Sequence, residues 1–82
     1  MPEFIDILSE TYYRNCREIA ELCEQRDATE HHFADCFGKC RSLDAMLELE
    51  LKRREELNLL DARIGQLYKG SRKLLERMEA LA

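Results

Sequence analysis

The sequence predicts an all-α protein, an antiparallel helical hairpin whose long second helix extends as a coiled-coil arm. Three observations carry this reading. Charged residues make up 37% of the 82-residue chain, with one proline and three glycines, a composition of long solvated helices rather than of strands and turns. Apolar residues recur three or four apart over most of its length. The polar stretch Arg26-Asp27-Ala28-Thr29-Glu30 then reads as a turn, with Cys16 and Cys23 upstream and Cys36 and Cys40 downstream. Residues 1–82 make a single small domain, and a chain this short buries too little surface to be robust without a staple, a metal or a partner.

The first helix is expected over about residues 3–26. Pro2 is tolerated at its start, where a missing N–H leaves no bond unmade. Its apolar stripe is Ile5, Leu8, Tyr12, Cys16, Ile19 and Cys23, widened by Phe4, Ala20 and Leu22. Asp27 is a good N-cap, because Glu30 three residues later completes a reciprocal capping pattern, so a second helix is expected to begin near Ala28. Its stripe starts with Phe33, Cys36, Cys40, Leu43 and Leu47, and Gly38 within it suggests close helix packing. Near residues 50–57 the apolar side drifts: Glu50 and Arg54 fall on the seam while Leu49 and Leu51 leave it, a discontinuity of the stutter or stammer kind. Leu57, Leu60, Ile64, Leu67, Ser71, Leu74, Met78 and Leu81 then alternate threes and fours, a coiled-coil seam that runs in phase through Gly70, the one candidate break.

With the turn near residue 28, the first helix reaches about 36 Å and the second about 80 Å. The arm beyond about Lys52 then has no cover within the chain. Leu57, Leu60, Ile64, Leu67, Leu74, Met78 and Leu81 become the expected interface with a partner helix or a second copy, and burying such a seam is worth on the order of 10 kcal/mol. Charge gives the same picture of an interaction protein. Residues 1–51 carry twelve acidic and five basic side chains, residues 52–82 five and eight, a polarity suited to antiparallel self-pairing or to two different partners.

The cysteines allow three readings. Every one lies on an apolar stripe, which favours four buried thiols in a reducing, cytoplasmic setting. A hairpin turning near residue 28 also sets Cys16 opposite Cys40 and Cys23 opposite Cys36, so two nested disulfides are geometrically permitted. In this respect the chain resembles the small mitochondrial intermembrane-space proteins with twin Cys-x9-Cys or Cys-x3-Cys motifs. Cys36-Phe37-Gly38-Lys39-Cys40 fits the shorter motif, whereas Cys16 and Cys23, with six residues between them, form a Cys-x6-Cys that fits neither. The resemblance implies a disulfide-stapled hairpin of an oxidising compartment. Third, His32, Cys36 and Cys40 recur every four residues, and Cys23 crossing the hairpin would complete a structural zinc site, although no Cys-x2-Cys knuckle is present and no metal is the leading expectation.

Other classes of function are excluded by what is missing. No glycine-rich phosphate loop is present, and His31 and His32 lack a nucleophile and an orienting acid. Cys36, placed near a helix start in this reading, is the best candidate for a reactive thiol, but Asp35 beside it opposes a thiolate. No catalytic residue, cofactor or small-molecule substrate is therefore expected. The basic residues Lys52, Arg53, Arg54, Lys69, Arg72, Lys73 and Arg77 are interrupted by Glu55, Glu56, Asp61, Glu76 and Glu79, which argues against nucleic acid. No window is apolar enough for a membrane span and the first residues do not resemble a secretion signal, so a soluble protein is expected. The function read from the sequence is a non-enzymatic interaction module: an adaptor, small chaperone or structural subunit of a larger assembly.

Overall fold

The computed structural model describes residues 2–81. Two helices, α1 (Pro2–Lys39) and α2 (Leu43–Leu81), account for all of these except Cys40, Arg41 and Ser42. The helices pack antiparallel into a rod of 63 × 15 × 12 Å. The all-α hairpin is what the sequence forms, and α2 runs through Gly70 without a break.

The turn, however, is not at residues 26–30. These are interior to α1, and the chain reverses at Cys40-Arg41-Ser42. The Cys40 N–H donates to the Phe37 carbonyl at 3.2 Å, tightening the last turn of α1. Ser42 caps α2: its Oγ accepts from the Ala45 N–H at 3.2 Å and its carbonyl from the Met46 N–H at 3.2 Å. Asp27 caps nothing, and its carbonyl accepts instead from His31 Nδ1 at 2.8 Å within the helix. Magnitudes explain the choice. A cap is worth about 1 kcal/mol, whereas a turn near residue 28 would leave on the order of 10 kcal/mol of seam burial unmade. With the turn at residues 40–42 the helices have 38 and 39 residues, so α1 covers α2 along its whole length and no arm projects.

The α1 side of the seam is Ile5, Leu8, Tyr12, Asn15, Ile19, Leu22, Arg26, Thr29, Phe33, Cys36 and Cys40, every one at least half-buried and spaced alternately three and four. On α2 the inward positions Glu50, Arg53, Leu57, Leu60, Ile64, Leu67, Ser71, Leu74 and Met78 alternate in the same way. The expected stutter near residues 50–57 is therefore absent; Arg53, not Arg54, is the seam residue. The core consists of Leu8, Ile19, Phe33, Leu57 and Leu67, 3–8% exposed. Two helices enclose a seam only one side chain thick. No described side chain falls below 2% exposure as a result. Gly38 does not mark close packing, since a Cβ there would meet nothing within 4 Å, whereas one at Gly70 would lie 3.8 Å from Asn15 Nδ2.

Candidate interaction surface

The residues expected to form an intermolecular interface lie along the internal seam. Leu57 and Leu67 are buried, Leu60, Ile64, Leu74 and Met78 are half-buried, and only Leu81 is largely exposed. Met78 Sδ accepts a hydrogen bond from Ser9 Oγ at 3.4 Å, so even the last turns of α2 meet the first turns of α1. In this conformation the partner of these side chains is α1.

Moving the turn dissolves the cysteine pairs. Cys16 and Cys40 lie at opposite ends of the same stretch of chain, about 35 Å apart, and Cys23 and Cys36 sit on one continuous helix about 20 Å apart. A disulfide needs Cα atoms within about 7 Å, so neither nested bridge can form within the chain. All four are free thiols, Cys23 exposed and the others half-buried. The zinc set fails for the same reason. His32 Nε2 and Cys36 Sγ do approach to 3.8 Å, but Cys23 is about 20 Å away along α1, and no group of three or more metal-binding side chains converges among the described residues. Cys36 also lies in the last turn of α1, at the negative end of the helix dipole rather than the positive end expected of a reactive thiol.

Ion pairs set the register of the two helices. Arg53 reaches Glu30 through Nη2–Oε1 at 2.8 Å and Nε–Oε2 at 3.4 Å, and its Nη1 donates to Glu50 at 3.1 Å. Arg54 Nε donates to the same Glu50 oxygen at 3.1 Å. The hydrogen bond to Glu30, with the charges of Glu30 and Glu50, holds the Arg53 guanidinium protonated beyond its ordinary range. Arg26 donates to Asp61 at 2.9 Å, which does the same for Arg26, and Arg63 donates to Glu18 at 2.9 Å. The cross-helix pairs are centred on or within about two residues of the Arg41-Ser42 linker, so a shift of either helix would break all of them together.

The flattened rod presents two broad faces. One carries the Glu18–Arg63 pair and open grooves of mixed lining, one with Gln25, Ala28, Glu56, Leu59 and Leu60 and one with Cys36, Lys39, Cys40, Glu48, Leu49 and Lys52. The other carries an open depression of about 400 Å³ lined by Tyr12, Cys16, Ile19, Tyr68 and Leu75. Here the neighbouring Cys16 raises the Tyr12 phenol above its ordinary value. Helical spacing continues this face along α1 through Tyr13, Ala20 and Cys23, and along α2 through Leu51 and Leu47 on one side of Tyr68 and Leu75 on the other. Tyr13, Leu47, Leu51 and Tyr68 are each more than half exposed.

Sequence reasoning missed this face because it assigned Cys16 and Cys23 to the seam and treated Leu51 as a drift of it. The signal was present: apolar residues off the seam, at helical spacing, on both strands of the hairpin. The basic cluster is partly neutralised, with Arg53 and Arg54 held by Glu30 and Glu50. No described helix is long and apolar enough to cross a membrane. Comparison with protein-family models, curated proteins and solved structures finds no match.

Proposed function

We propose that this chain is a non-enzymatic protein–protein interaction module, an adaptor, small chaperone or structural subunit of a larger assembly, that docks through exposed faces of its helical hairpin. The observation carrying this reading is incomplete burial. Eleven large apolar side chains among the described residues stand exposed while five are buried. The accessible surface is 6629 Å², against about 5,100 Å² for a compact monomer of this mass, an excess of about 1,500 Å². An interface of standard size buries about 800 Å² per partner, so the excess is of the size that a partner removes. The grooves among the described residues are open, a shape suited to docking a partner. Four free thiols suit a reducing compartment such as the cytoplasm.

Thermal unfolding followed by circular dichroism over a wide range of protein concentration tests the reading. The expected result is a midpoint that rises with concentration, or weak and non-cooperative helicity in the isolated chain. A cooperative transition whose midpoint ignores concentration would describe a self-sufficient monomer and overturn it.

A further inference from the structure

We infer that the depression between Tyr12 and Tyr68 is a binding site for a small apolar carboxylate, an aliphatic or aromatic monoacid. Its apolar body lies along the walls, and its oxygens meet Ser71, Lys69 and Arg72. The inference goes beyond the interaction-module reading and does not depend on it.

The depression opens where the seam is interrupted. From Leu57 to Met78 the inward positions of α2 carry leucine, isoleucine or methionine, except at position 71, where the side chain is a serine. Serine fills much less of the space between the helices than leucine would, and the depression of about 400 Å³ lies against it. That volume falls within the range of about 300–1,000 Å³ that holds small ligands. Tyr12, Ile19, Tyr68 and Leu75 give it apolar walls.

Ser71 is also an unfinished hydrogen bond. The residue is only 6% exposed, and its Oγ is buried with no partner among the described residues. A serine inside a helix commonly bonds back to the carbonyl four residues earlier, and this one does not. A buried hydroxyl left unmade weakens the fold, so alanine would serve the helix packing better. The hydroxyl gains from an acceptor that enters the depression, because it then donates.

Charge gives the acceptor its sign. Two cations, Lys69 and Arg72, line the depression and no carboxylate does. Four other grooves on the rod each include at least one carboxylate, from Glu48, Glu76, Glu56 and Glu18 with Glu21. No ion pair among the described residues involves Lys69 or Arg72, whereas Arg26, Arg53, Arg54 and Arg63 are all paired. On a chain of net charge −4, an acid-free depression with two unpaired cations is complementary to an anion. A carboxylate on an apolar body matches the hydroxyl, the cations and the walls together. Free phosphate would leave the walls unused, and an amine would face like charge.

Titration of the full nitrogen-labelled chain with decanoate, followed by amide chemical shifts, tests the site. Shifts should concentrate at residues 12–19 and 68–75, with a dissociation constant on the order of 100 µM, as an open site for so small a ligand allows. Decyltrimethylammonium has the same body and the opposite charge, and should bind there about tenfold more weakly or not at all. Lys69→Gln with Arg72→Gln should weaken decanoate about tenfold. Ser71→Ala should weaken it about fivefold while raising the unfolding midpoint of the ligand-free chain by a few degrees. These opposite signs separate a binding hydroxyl from a structural one. Ser71→Leu should fill the depression and abolish the shifts; where leucine unfolds the chain, Ser71→Ala carries the test alone. Decanoate shifts spread over every exposed apolar residue, equal binding of the cationic analogue, or a Ser71→Ala chain that is less stable or binds as well as the wild type would each overturn the inference.

Discussion

Residues 27–30 and residues 42–45 offer the chain two places to begin a helix. Asp27-Ala28-Thr29-Glu30 has a capping side chain at each end, and Ser42-Leu43-Asp44-Ala45 has only one. Yet Ser42 is the cap, and Asp27 lies in the middle of α1. The difference is long-range. At residues 40–42 the reversal divides the described chain into nearly equal helices, and every seam position on one meets the other. At residues 26–30 the better local cap would strand half of α2. Local hydrogen bonding chooses among turn sites only when they bury similar surface, and here they do not.

Proline separates the two sites most sharply. Ala28 would be the first helical residue after an Asp27 cap, where proline is favoured; in α1 it is interior, where proline removes a backbone hydrogen bond and clashes with the preceding turn. Ala28→Pro should therefore destabilise the hairpin by about 3 kcal/mol or more. Leu43, 71% exposed at the first position of α2, should accept proline with little loss. Denaturant unfolding of the two variants checks both expectations, and a tolerated Ala28→Pro would move the turn back to residue 28.

Removing the caps is a gentler version of the same comparison. Ser42→Ala deletes the acceptor for the Ala45 N–H and should lower stability by about 1 kcal/mol. Asp27→Ala removes a side chain that caps nothing and puts the best helix former in a helix interior, so it should be neutral or slightly stabilising in the hairpin. Equal losses from the two substitutions would mean that both caps are occupied.

These substitutions also show what the sequence makes legible. The hairpin and the seam from Leu57 to Met78 are readable because those positions are mostly apolar and regularly spaced. The turn is not readable from apolar residues alone. Asn15, Arg26, Thr29, Glu50 and Arg53 occupy seam positions with polar side chains, two of them paired across the hairpin, Arg26 with Asp61 and Arg53 with Glu30. Cys16, Cys23, Leu47 and Leu51 are apolar beside the seam, so a pattern built on hydrophobicity bends toward them and manufactures a stutter. Counting spacing without regard to polarity, threes and fours alternate from Ile5 to Cys40 straight through residues 26–30. That regularity, together with equal helix lengths, is the signal that outweighs the capping pattern.

Gly38 stands just before the reversal and tests whether the turn needs a glycine. No described residue has a positive φ, and a Cβ at position 38 would meet nothing within 4 Å. Gly38→Ala should then raise stability by about 0.5–1 kcal/mol, through reduced freedom of the unfolded chain. A loss instead would mean that residues 38–40 adopt a left-handed conformation and that the linker begins earlier than Cys40.

The smallest expected effect is none at all, and it bears on the cysteines. Had the chain turned at residue 28, bridges from Cys16 to Cys40 and from Cys23 to Cys36 would each have constrained the unfolded state by a few kcal/mol, and reductant would remove that stabilisation. With the reversal at residues 40–42 the members of each pair lie about 20–35 Å apart along α1 and its end, and no bridge within the chain exists to reduce. The unfolding midpoint of a Cys23→Ser chain, in which the exposed thiol cannot link two copies, should be the same with and without reductant. Its intact mass after alkylation should show three modified thiols. A fall in midpoint on reduction, together with a mass two hydrogens short before alkylation, would require α1 to fold back on itself between Cys16 and Cys40 and would return the turn to the stretch around Asp27.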